Sequence, residues 1–286
     1  MITRDNWRVR MSEDMRLRDY AAKTQQAYQL AVKQLVAWLD CEPTLWTGDD
    51  IRQYFLYLRE EKQAAPSSIN VALHGIRFFL RHTMGRDWPV LELIGVKLPR
   101  KLPVVLSRKE VRCILSVVRD PMRRMMLTTI YGLGLRLGEA LRLQAEHIDS
   151  DRLMVWVRNG KGVRDRGVML PRPLLSRLRV YWKKVRSPAP SSHLFISQRT
   201  GKPPHASTLQ KTFIAARKDA ALIKPASIHS LRHSYATHLL ESGVTLPTIQ
   251  KLLGHRRMKT TMVYMHVTHA STERLQETLD KLMADL

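Results

Sequence analysis

Residues 229–240 read HSLRHSYATHLL and combine a helical repeat with charged side chains. At 3.6 residues per turn, one stripe of such a helix contains His229, Arg232, Ala236, Leu239 and Leu240. A protein in water turns an apolar stripe toward its core, where an unpaired charge is costly. Glu241 is the nearest acid on this helix and lies off the stripe. We therefore predict a helix that buries an arginine and a histidine, with an anion from outside as their partner.

The segments before this helix mix helices with one small sheet. PMRRMMLTTIYGLG (121–134) reads as an apolar helix that Gly132 and Gly134 end, and Leu137, Ala140 and Leu141 give the next helix a buried face. RLMVWVRNGKGVRDRGVML (152–170) has β-branched and aromatic residues on both sides of an Asn-Gly turn, which predicts an antiparallel hairpin. From about residue 208 the pattern is helical again. The fold class is mainly α with a small antiparallel β-sheet, or α+β.

The first hundred residues predict a separate helical domain. Apolar residues recur at intervals of three and four in TQQAYQLAVKQLVAWLD (24–40), IRQYFLYLRE (51–60) and SSINVALHGIRFFLRHTMG (67–85). VKLPRKLPVV (96–105) then has two prolines and no helical period, so it reads as an extended connector. Ser107 and Glu110 form a capping-box pattern that opens the next helix. We divide the chain into domains 1–98 and 99–286.

The charge of the chain points to nucleic acid. The 286 residues carry a formal charge of +23, and their hydrophobic fraction of 44% is typical of a globular protein. Residues 1–100 contain fifteen basic and twelve acidic residues, which leaves thirty-three and thirteen, an excess of twenty, for the rest. Such a charge favours a polyanionic partner. A membrane surface would need a basic amphipathic helix, and a small basic ribosomal-type protein is usually poorer in aromatic residues.

Cysteine use and hydropathy favour a cytoplasmic protein. Cys41 and Cys113 are far apart, so we expect neither a disulfide framework nor a cysteine metal cluster. The N-terminal residues MITRDNWRVRMSEDMRL lack the apolar region of a signal peptide, and no run of about eighteen apolar residues occurs. We expect a soluble, intracellular chain with no membrane partner.

Two basic residues lie where an anion or a reacting group would meet them. Arg136 follows two glycines at a predicted helix start, where free backbone N–H groups favour a phosphate. Pairing with Glu139 or solvation at the helix end is the alternative. Lys161 follows the Asn-Gly turn of the hairpin and can reach a neighbouring site as a proton donor. A solvated turn lysine is the alternative there.

His229 and Arg232 lie three residues apart and project from adjacent turns. Together they offer a fork of donors and a titratable group to an oxyanion. A structural pair bound to backbone carbonyls is the alternative. His233 and His238 lie off the stripe, and we assign them structural roles.

His255 and Tyr264 follow the same helix. His255 closes LLGH after a short helix, and Tyr264 is nine residues further on, on a helix that we expect Thr260 or Thr261 to cap. Taken alone, a tyrosine on such a helix is a packing residue.

The histidines do not predict a metal site. His229 and His233 have the i, i+4 spacing of two zinc ligands, but the glutamate of an HExxH motif is absent. Arg232 would also place a fixed positive charge beside the cation. We expect no metal and no other cofactor.

The ordered set of these residues resembles the signature of the tyrosine recombinases, or phage integrase family. The set is Arg136, Lys161, His229, Arg232, His255 and Tyr264. GLRLGEALRL (134–143) resembles that family's first box, and HSLRHSYATHLLESGVTLPTIQKLLGHRRMKTTMVYMHV (229–267) resembles its second. The linker and the helical N-terminal domain extend the likeness over most of the chain. Gly138 departs from the pattern, since the family more often has a larger or hydroxyl residue there.

The resemblance implies a fold and a reaction. Residues 1–98 would be a core-binding, SAM-like domain and residues 99–286 the catalytic domain, and the two would clamp double-stranded DNA. Tyr264 would attack a backbone phosphate and form a 3′-phosphotyrosyl link. Arg136 and Arg232 would stabilise the transition state, Lys161 would protonate the leaving oxygen, and His255 would bind the phosphate. His229 would help to remove the tyrosine proton.

The same resemblance implies paired DNA sites and a homotetramer, with neither metal nor ATP. The C-terminal segment HASTERLQETLDKLMADL (269–286) has leucines on one stripe and would dock on a neighbouring protomer or pack in cis. Two alternatives stay open for the whole chain. One is a type IB topoisomerase, and the other is a sequence-specific regulator, because THLLESGVTLPTIQKLLG (237–254) resembles a helix-turn-helix. Chromosome-dimer resolution, integration, transposition and cassette capture remain possible roles, and we lean to a Xer-like or transposon-borne enzyme.

Overall fold

A computed structural model describes residues 3, 6–97, 102–158, 165–186 and 191–267. The chain divides into two compact units, Met1–Arg100 and Lys101–Leu286. The architecture is mainly α-helical with one small antiparallel sheet, so the predicted fold class is confirmed. Lys161 with its Asn-Gly turn, the middle of the connector and the predicted C-terminal helix lie outside the described residues.

The first unit is a helical bundle around an apolar core. Its helices are α1 (Trp7–Leu17), α2 (Ala22–Leu39), α3 (Gly48–Glu60), α4 (Pro66–Phe78) and α5 (Val90–Leu93), with a 3₁₀ turn at Pro43–Leu45 and a π-helical turn at Phe79–Thr83. The helical repeats predicted α2, α3 and α4. Helix α1 was not predicted from the sequence, and it buries Trp7, Met11 and Met15 on one face. Trp7 packs edge-on against Phe79, so α1 closes the core.

The second unit begins on a capped helix, as predicted. Its helices are α6 (Arg108–Val117), α7 (Pro121–Leu133), α8 (Leu137–Leu141), α9 (Arg172–Lys184), α10 (Ala206–Asp219), α11 (Ile228–Glu241), α12 (Leu246–Leu253) and α13 (Lys259–Met262), with 3₁₀ turns at Ala145–His147 and Val263–Val267. The Ser107 hydroxyl accepts from the Glu110 amide, and the Glu110 carboxylate accepts from the Ser107 amide. This reciprocal pair satisfies two N–H groups that a helix start leaves free.

Glycine ends α7 at the place where the chain turns toward the site. Gly134 caps the helix with φ +60°, and a Cβ there would lie 2.4 Å from the Tyr235 ring. Both the left-handed backbone and the close ring contact therefore require glycine. Gly132, predicted to share in ending the helix, lies inside α7 instead.

The sheet has three short strands in the order β1 (Ile148–Asp149), β2 (Met154–Val157) and β3 (Arg166–Met169). β2 and β3 pair antiparallel, with Val155 opposite Val168 and Val157 opposite Arg166. These four side chains are buried. An arginine on the buried side of a strand needs a partner, and Arg166 finds it in the neighbouring helix α8.

None of the described helices has the length and apolar character that crossing a membrane requires.

Candidate active site

The Glu139 carboxylate is the centre of a cluster of three arginines. Glu139 lies in α8 and is 4% exposed. Its Oε1 accepts from Arg136 Nη1 at 2.8 Å and from Arg166 Nη1 at 2.9 Å, and its Oε2 accepts from Arg166 Nη2 at 2.8 Å. Arg232 Nη1 is 3.8 Å from Oε2. One buried anion thus compensates three guanidinium groups from three parts of the chain.

Arg232 has partners inside the protein, which the sequence analysis did not predict, and the external anion stays a prediction. The side chain is 4% exposed, and its guanidinium donates to the carbonyl oxygens of Gly134 and Leu253, each at 2.7 Å. These carbonyls end α7 and α12, where helices leave acceptors free. An arginine has five N–H donors, so the two named bonds leave donors for a further anion. The sequence did not reveal Glu139 as the nearby acid because it lies in a different helix.

Arg136 occupies the predicted helix start, as the residue before α8. Its backbone N–H donates to Glu139 Oε2 at 2.7 Å, and its guanidinium pairs with the same carboxylate. The pairing that the sequence left open is therefore present. The side chain remains 41% exposed, so part of the guanidinium faces outward and is available to a ligand.

Arg166 is a buried site residue that the sequence analysis missed. Besides its two bonds to Glu139, its Nε donates to the Leu252 carbonyl at 2.8 Å. A Cβ at Gly254 would lie 2.8 Å from Arg166 Cδ, so the glycine before His255 lets the arginine pass. Arg166 thereby joins β3, α8 and the last turn of α12. The two-residue period of a strand could have indicated this burial, because Arg166 lies on the same face as the buried Val168.

The arginines keep Glu139 ionised. Burial alone would raise the pKa of the carboxyl, but hydrogen bonds and charge from Arg166, with further hydrogen bonds from Arg136, lower it to about 2. Burial lowers the pKa of Arg232 to about 10, with a smaller contribution from the Arg136 charge. Both groups are therefore charged at neutral pH, and the cluster presents a net positive charge to any ligand.

Two predicted histidines lie beside the arginines and are held neutral. His229 is exposed, whereas the other residues of its predicted stripe are buried or half-buried. Partial desolvation, followed by the charges of Arg232 and Arg136, lowers the pKa of His229. Burial, followed by the charges of Arg232 and Arg136, lowers the pKa of His255 to about 4. His255 Nδ1 is 3.0 Å from the hydroxyl oxygen of Thr261. A neutral imidazole can donate one hydrogen bond and accept another.

Tyr264 is buried within the same unit. Its side chain is 1% exposed and packs against Ala236, Ile249 and Leu253. It lies in the 3₁₀ turn Val263–Val267, and α13 starts at Lys259, so the predicted threonine cap is wrong. Burial raises the pKa of the phenol, while the charges of Arg232 and Arg136 act in the opposite direction.

The partner of the tyrosine hydroxyl is a histidine that the sequence analysis judged structural. His233 Nδ1 is 3.1 Å from Tyr264 Oη, and the two rings are 5.8 Å apart. The His255 ring lies parallel to the Tyr264 ring at 6.4 Å. His238 bonds instead to the Tyr131 hydroxyl at 2.9 Å. The i, i+4 spacing of His229 and His233 was considered only as that of two metal ligands, although it also places both imidazoles on one face of α11.

The described residues therefore bring together five of the six predicted site residues, namely Arg136, Arg232, His229, His255 and Tyr264. Lys161 lies outside them. Within the described part of the chain, no three His, Cys, Asp or Glu side chains form a group that could hold a metal ion. Planar cationic groups beside a hydroxyl suit the binding of a tetrahedral oxyanion and attack on it.

Two family patterns match the chain. The phage integrase family matches residues 105–271, and the N-terminal SAM-like domain of phage integrases matches residues 7–90. Together they extend over most of the sequence.

Named relatives agree with these patterns. The putative integrase/recombinase y4qK of Sinorhizobium fredii is 42% identical, and the match covers 91% of this chain and 84% of that protein. The tyrosine recombinase XerA of Thermococcus kodakarensis is 34% identical, with coverage of 84% and 87%.

Solved structures share the fold. The chain is similar to a lambda integrase (75-356) dimer bound to a COC′ core site, with a TM-score of 0.74, 18% identity and coverage of 92% and 95%. It is also similar to the XerH site-specific recombinase bound to a palindromic difH substrate in a post-cleavage complex, with a TM-score of 0.72, 19% identity and coverage of 89% and 78%.

Proposed function

The chain belongs to the phage integrase family, and from this premise we propose that Tyr264 cleaves DNA by forming a covalent bond to a backbone phosphate. The protein is a tyrosine recombinase, and its family supports site-specific recombination. In the proposed step, Tyr264 Oη forms a bond to phosphorus while the bond from phosphorus to the 5′-oxygen breaks. The products are a 3′-phosphotyrosyl link and a free 5′-hydroxyl.

The observation that carries this proposal is the convergence of cations and imidazoles on one buried tyrosine. The charges of Arg136 and Arg232 both act on the Tyr264 phenol, and the rings of His233 and His255 contact it. A packing tyrosine needs none of these neighbours. A nucleophile that must attack an anion needs all of them, because they bind the phosphate and prepare the hydroxyl.

The arginines provide the stabilisation of the transition state. Negative charge grows on the non-bridging oxygens as the phosphorus becomes pentacoordinate, and a planar guanidinium can bond two of them at once. Glu139 fixes the Arg136 guanidinium, and the carbonyls of Gly134 and Leu253 fix that of Arg232, before DNA arrives. Fixed donors spend no energy on reorganisation during the reaction.

The remaining predicted residues take part in proton transfer and phosphate binding. Lys161 would give a proton to the leaving 5′-oxygen, and His255 would hydrogen-bond the phosphate. His229 is exposed beside Arg232 and Arg136, where it suits a contact with the same phosphate. General acid–base groups of this kind contribute about 10²–10⁴-fold to a rate.

The chemistry requires neither a metal nor a nucleotide. The guanidinium groups neutralise the charge that a divalent cation neutralises in other phosphoryl-transfer enzymes. The phosphotyrosyl ester retains the energy of the broken phosphodiester, so a 5′-hydroxyl from a second strand can reverse the step without ATP. This reversal on a different strand is the exchange that recombination requires.

We also propose the partners of the reaction. Residues 1–98 would bind DNA as a core-binding domain, and residues 99–286 would carry the catalysis. The solved relatives are described as bound to their DNA sites, one of them as a dimer. For this chain we propose double-stranded DNA with paired recombination sites, a homotetramer at synapsis, and action in the cytoplasm.

A nicked suicide substrate tests the proposed function. Loss of a short oligonucleotide after cleavage prevents religation and traps the covalent adduct. We expect an adduct with the wild-type protein and none with Tyr264→Phe, which should still bind DNA. The absence of an adduct with wild type on its mapped site would favour a DNA-binding regulator. Relaxation of plasmids without a defined site would favour a topoisomerase.

A further inference from the structure

The Tyr264 hydroxyl has one hydrogen-bonding partner among the described contacts, and it is His233. Nδ1 of His233 is 3.1 Å from Oη. The His255 ring lies parallel to the tyrosine ring at 6.4 Å, and its Nδ1 meets Thr261. The His229 ring is 6.2 Å from the His233 ring and is exposed. The three imidazoles therefore occupy different positions around the phenol.

The charge states of the pair allow the phenol to donate this hydrogen bond to the imidazole. Burial, followed by the charges of His229 and Arg232, lowers the pKa of His233 to about 4, so the imidazole is neutral at neutral pH. Burial raises the pKa of Tyr264, so the phenol keeps its proton. With the imidazole proton on Nε2, Nδ1 accepts a hydrogen bond from the phenolic O–H. This arrangement precedes transfer of that proton.

We propose that His233, rather than His229, is the general base that takes the Tyr264 proton during strand cleavage. The inference rests on the proposed function, because it assigns a role within that reaction. In the step, the O–H bond of Tyr264 breaks and the proton moves to Nδ1 of His233. At the same time Oη bonds to phosphorus, and the 5′-oxygen leaves and receives a separate proton. On religation, His233 returns its proton to the tyrosine.

Binding of DNA would strengthen this base. The positive charge of Arg232 is one cause that keeps the imidazole unprotonated. A phosphate placed against Arg136 and Arg232 offsets that charge, and an adjacent anion favours the protonated imidazole. The groups that face His233 are His229 and Arg232 on α11, Tyr264 on the 3₁₀ turn, and His255 after α12. The base would thus gain strength when its substrate is in place.

His229 has a different position and suits a different task. No hydrogen bond between His229 and Tyr264 occurs among the described contacts, whereas His233 is in contact with the hydroxyl. His229 is exposed and feels the charges of both site arginines. It can therefore contact a phosphate oxygen while His233 holds the nucleophile.

Asparagine substitutions at the two histidines separate these roles. His233→Asn keeps an acceptor near the position of Nδ1 but removes the base. His229→Asn, on the same helix, removes a phosphate contact, so it should lower the rate but keep the acid limb. The readout is the single-turnover rate of adduct formation on nicked DNA, measured from about pH 4, near the pKa of His233 in the free protein, to pH 8. We expect the wild-type rate to rise with pH through the acid range and then level off. His233→Asn should lower the plateau about 100-fold or more, abolish the acid limb and leave DNA affinity unchanged.

Chemical rescue and NMR make the test independent of one variant. Free imidazole should restore adduct formation by His233→Ala, which loss of packing alone does not explain. In ¹⁵N-histidine-labelled protein, Tyr264→Phe should shift the Nδ1 resonance of His233, and this measurement uses no histidine variant. An unchanged Nδ1 resonance would overturn the inference. So would a rate for His233→Asn within about threefold of wild type, or loss of the acid limb in His229→Asn alone. Failure of the proposed function differs from these results, because the wild type would then give no adduct.

Discussion

Replacing Glu139 by glutamine tests whether one carboxylate holds the site together. The carboxyl is 4% exposed and contacts Arg136, Arg166 and Arg232. Its pKa is about 2 instead of the ordinary 4.5, which corresponds to about 3 kcal/mol in favour of the ionised folded form. Removal of the charge also leaves buried guanidinium groups uncompensated, and breaking a buried pair costs about 3–5 kcal/mol. We expect Glu139→Gln to lower the free energy of unfolding at pH 7 by about 3 kcal/mol.

The pH dependence of this difference identifies its cause. A carboxyl with a depressed pKa stabilises the fold above its unfolded pKa, and this stabilisation is lost as the pH falls toward the folded pKa. For Glu139 the loss occurs between about pH 4.5 and pH 2. The difference between wild type and Glu139→Gln should therefore shrink to less than half of its neutral value at pH 3.

Urea unfolding monitored by hydrogen exchange in peptides of the second unit measures the free energy of unfolding of that unit separately from that of the first unit. Glu110→Gln is the control. Its carboxylate caps α6 and pairs with Lys224 near the surface, so it should cost only about 1 kcal/mol. A change for Glu139→Gln below about 0.5 kcal/mol, or a difference that does not vary between pH 7 and pH 3, would refute the reasoning.

Changes at Arg166, at Gly134 and in salt concentration test other parts of the proposed site. Arg166→Lys keeps the charge but loses the bidentate contact with Glu139, so the rate of adduct formation should fall about tenfold or more. The control Arg142→Lys changes an exposed residue and should leave this rate unchanged. Equal rates for the two variants would contradict the prediction. Gly134→Ala places a methyl group against the Tyr235 ring at a positive φ, so it should lower the free energy of unfolding by about 2 kcal/mol or more. Gly138→Ala lies inside α8 and should be neutral or stabilising. The reverse order of the two variants in urea unfolding would be evidence against this prediction. DNA affinity should fall about a thousandfold or more between 50 and 200 mM salt if about six phosphates are contacted, and a flat response in a fluorescence titration would exclude the proposed basic interface.

The sequence predicted what depends on local spacing. Three- and four-residue intervals located α2, α3 and α4, and β-branched and aromatic residues located the antiparallel pair β2 and β3. Helix α1 was missed although Trp7, Met11 and Met15 recur every four residues. Charged residues surround these three positions and mask the apolar face. Tertiary contact with Phe79 makes the helix part of the core.

The sequence predicted several residues of the candidate site, because their order along the chain resembles a family signature. It did not predict the contacts between them. The sequence does not show which acid lies beside Arg232, because Glu139 belongs to a distant helix and reaches it through the fold. It does not show which imidazole reaches Tyr264, because tertiary packing decides where the 3₁₀ turn lies against α11. Pairings between distant elements require the structure.

The most direct test of the central claim is identification of the bond between protein and DNA. Wild-type protein trapped on its nicked site can be digested with protease and nuclease, and mass spectrometry then locates the nucleotide on a peptide. We expect one nucleotide joined through its 3′-phosphate to Tyr264. A nucleotide on any other residue, or a link through the 5′-phosphate, would contradict it.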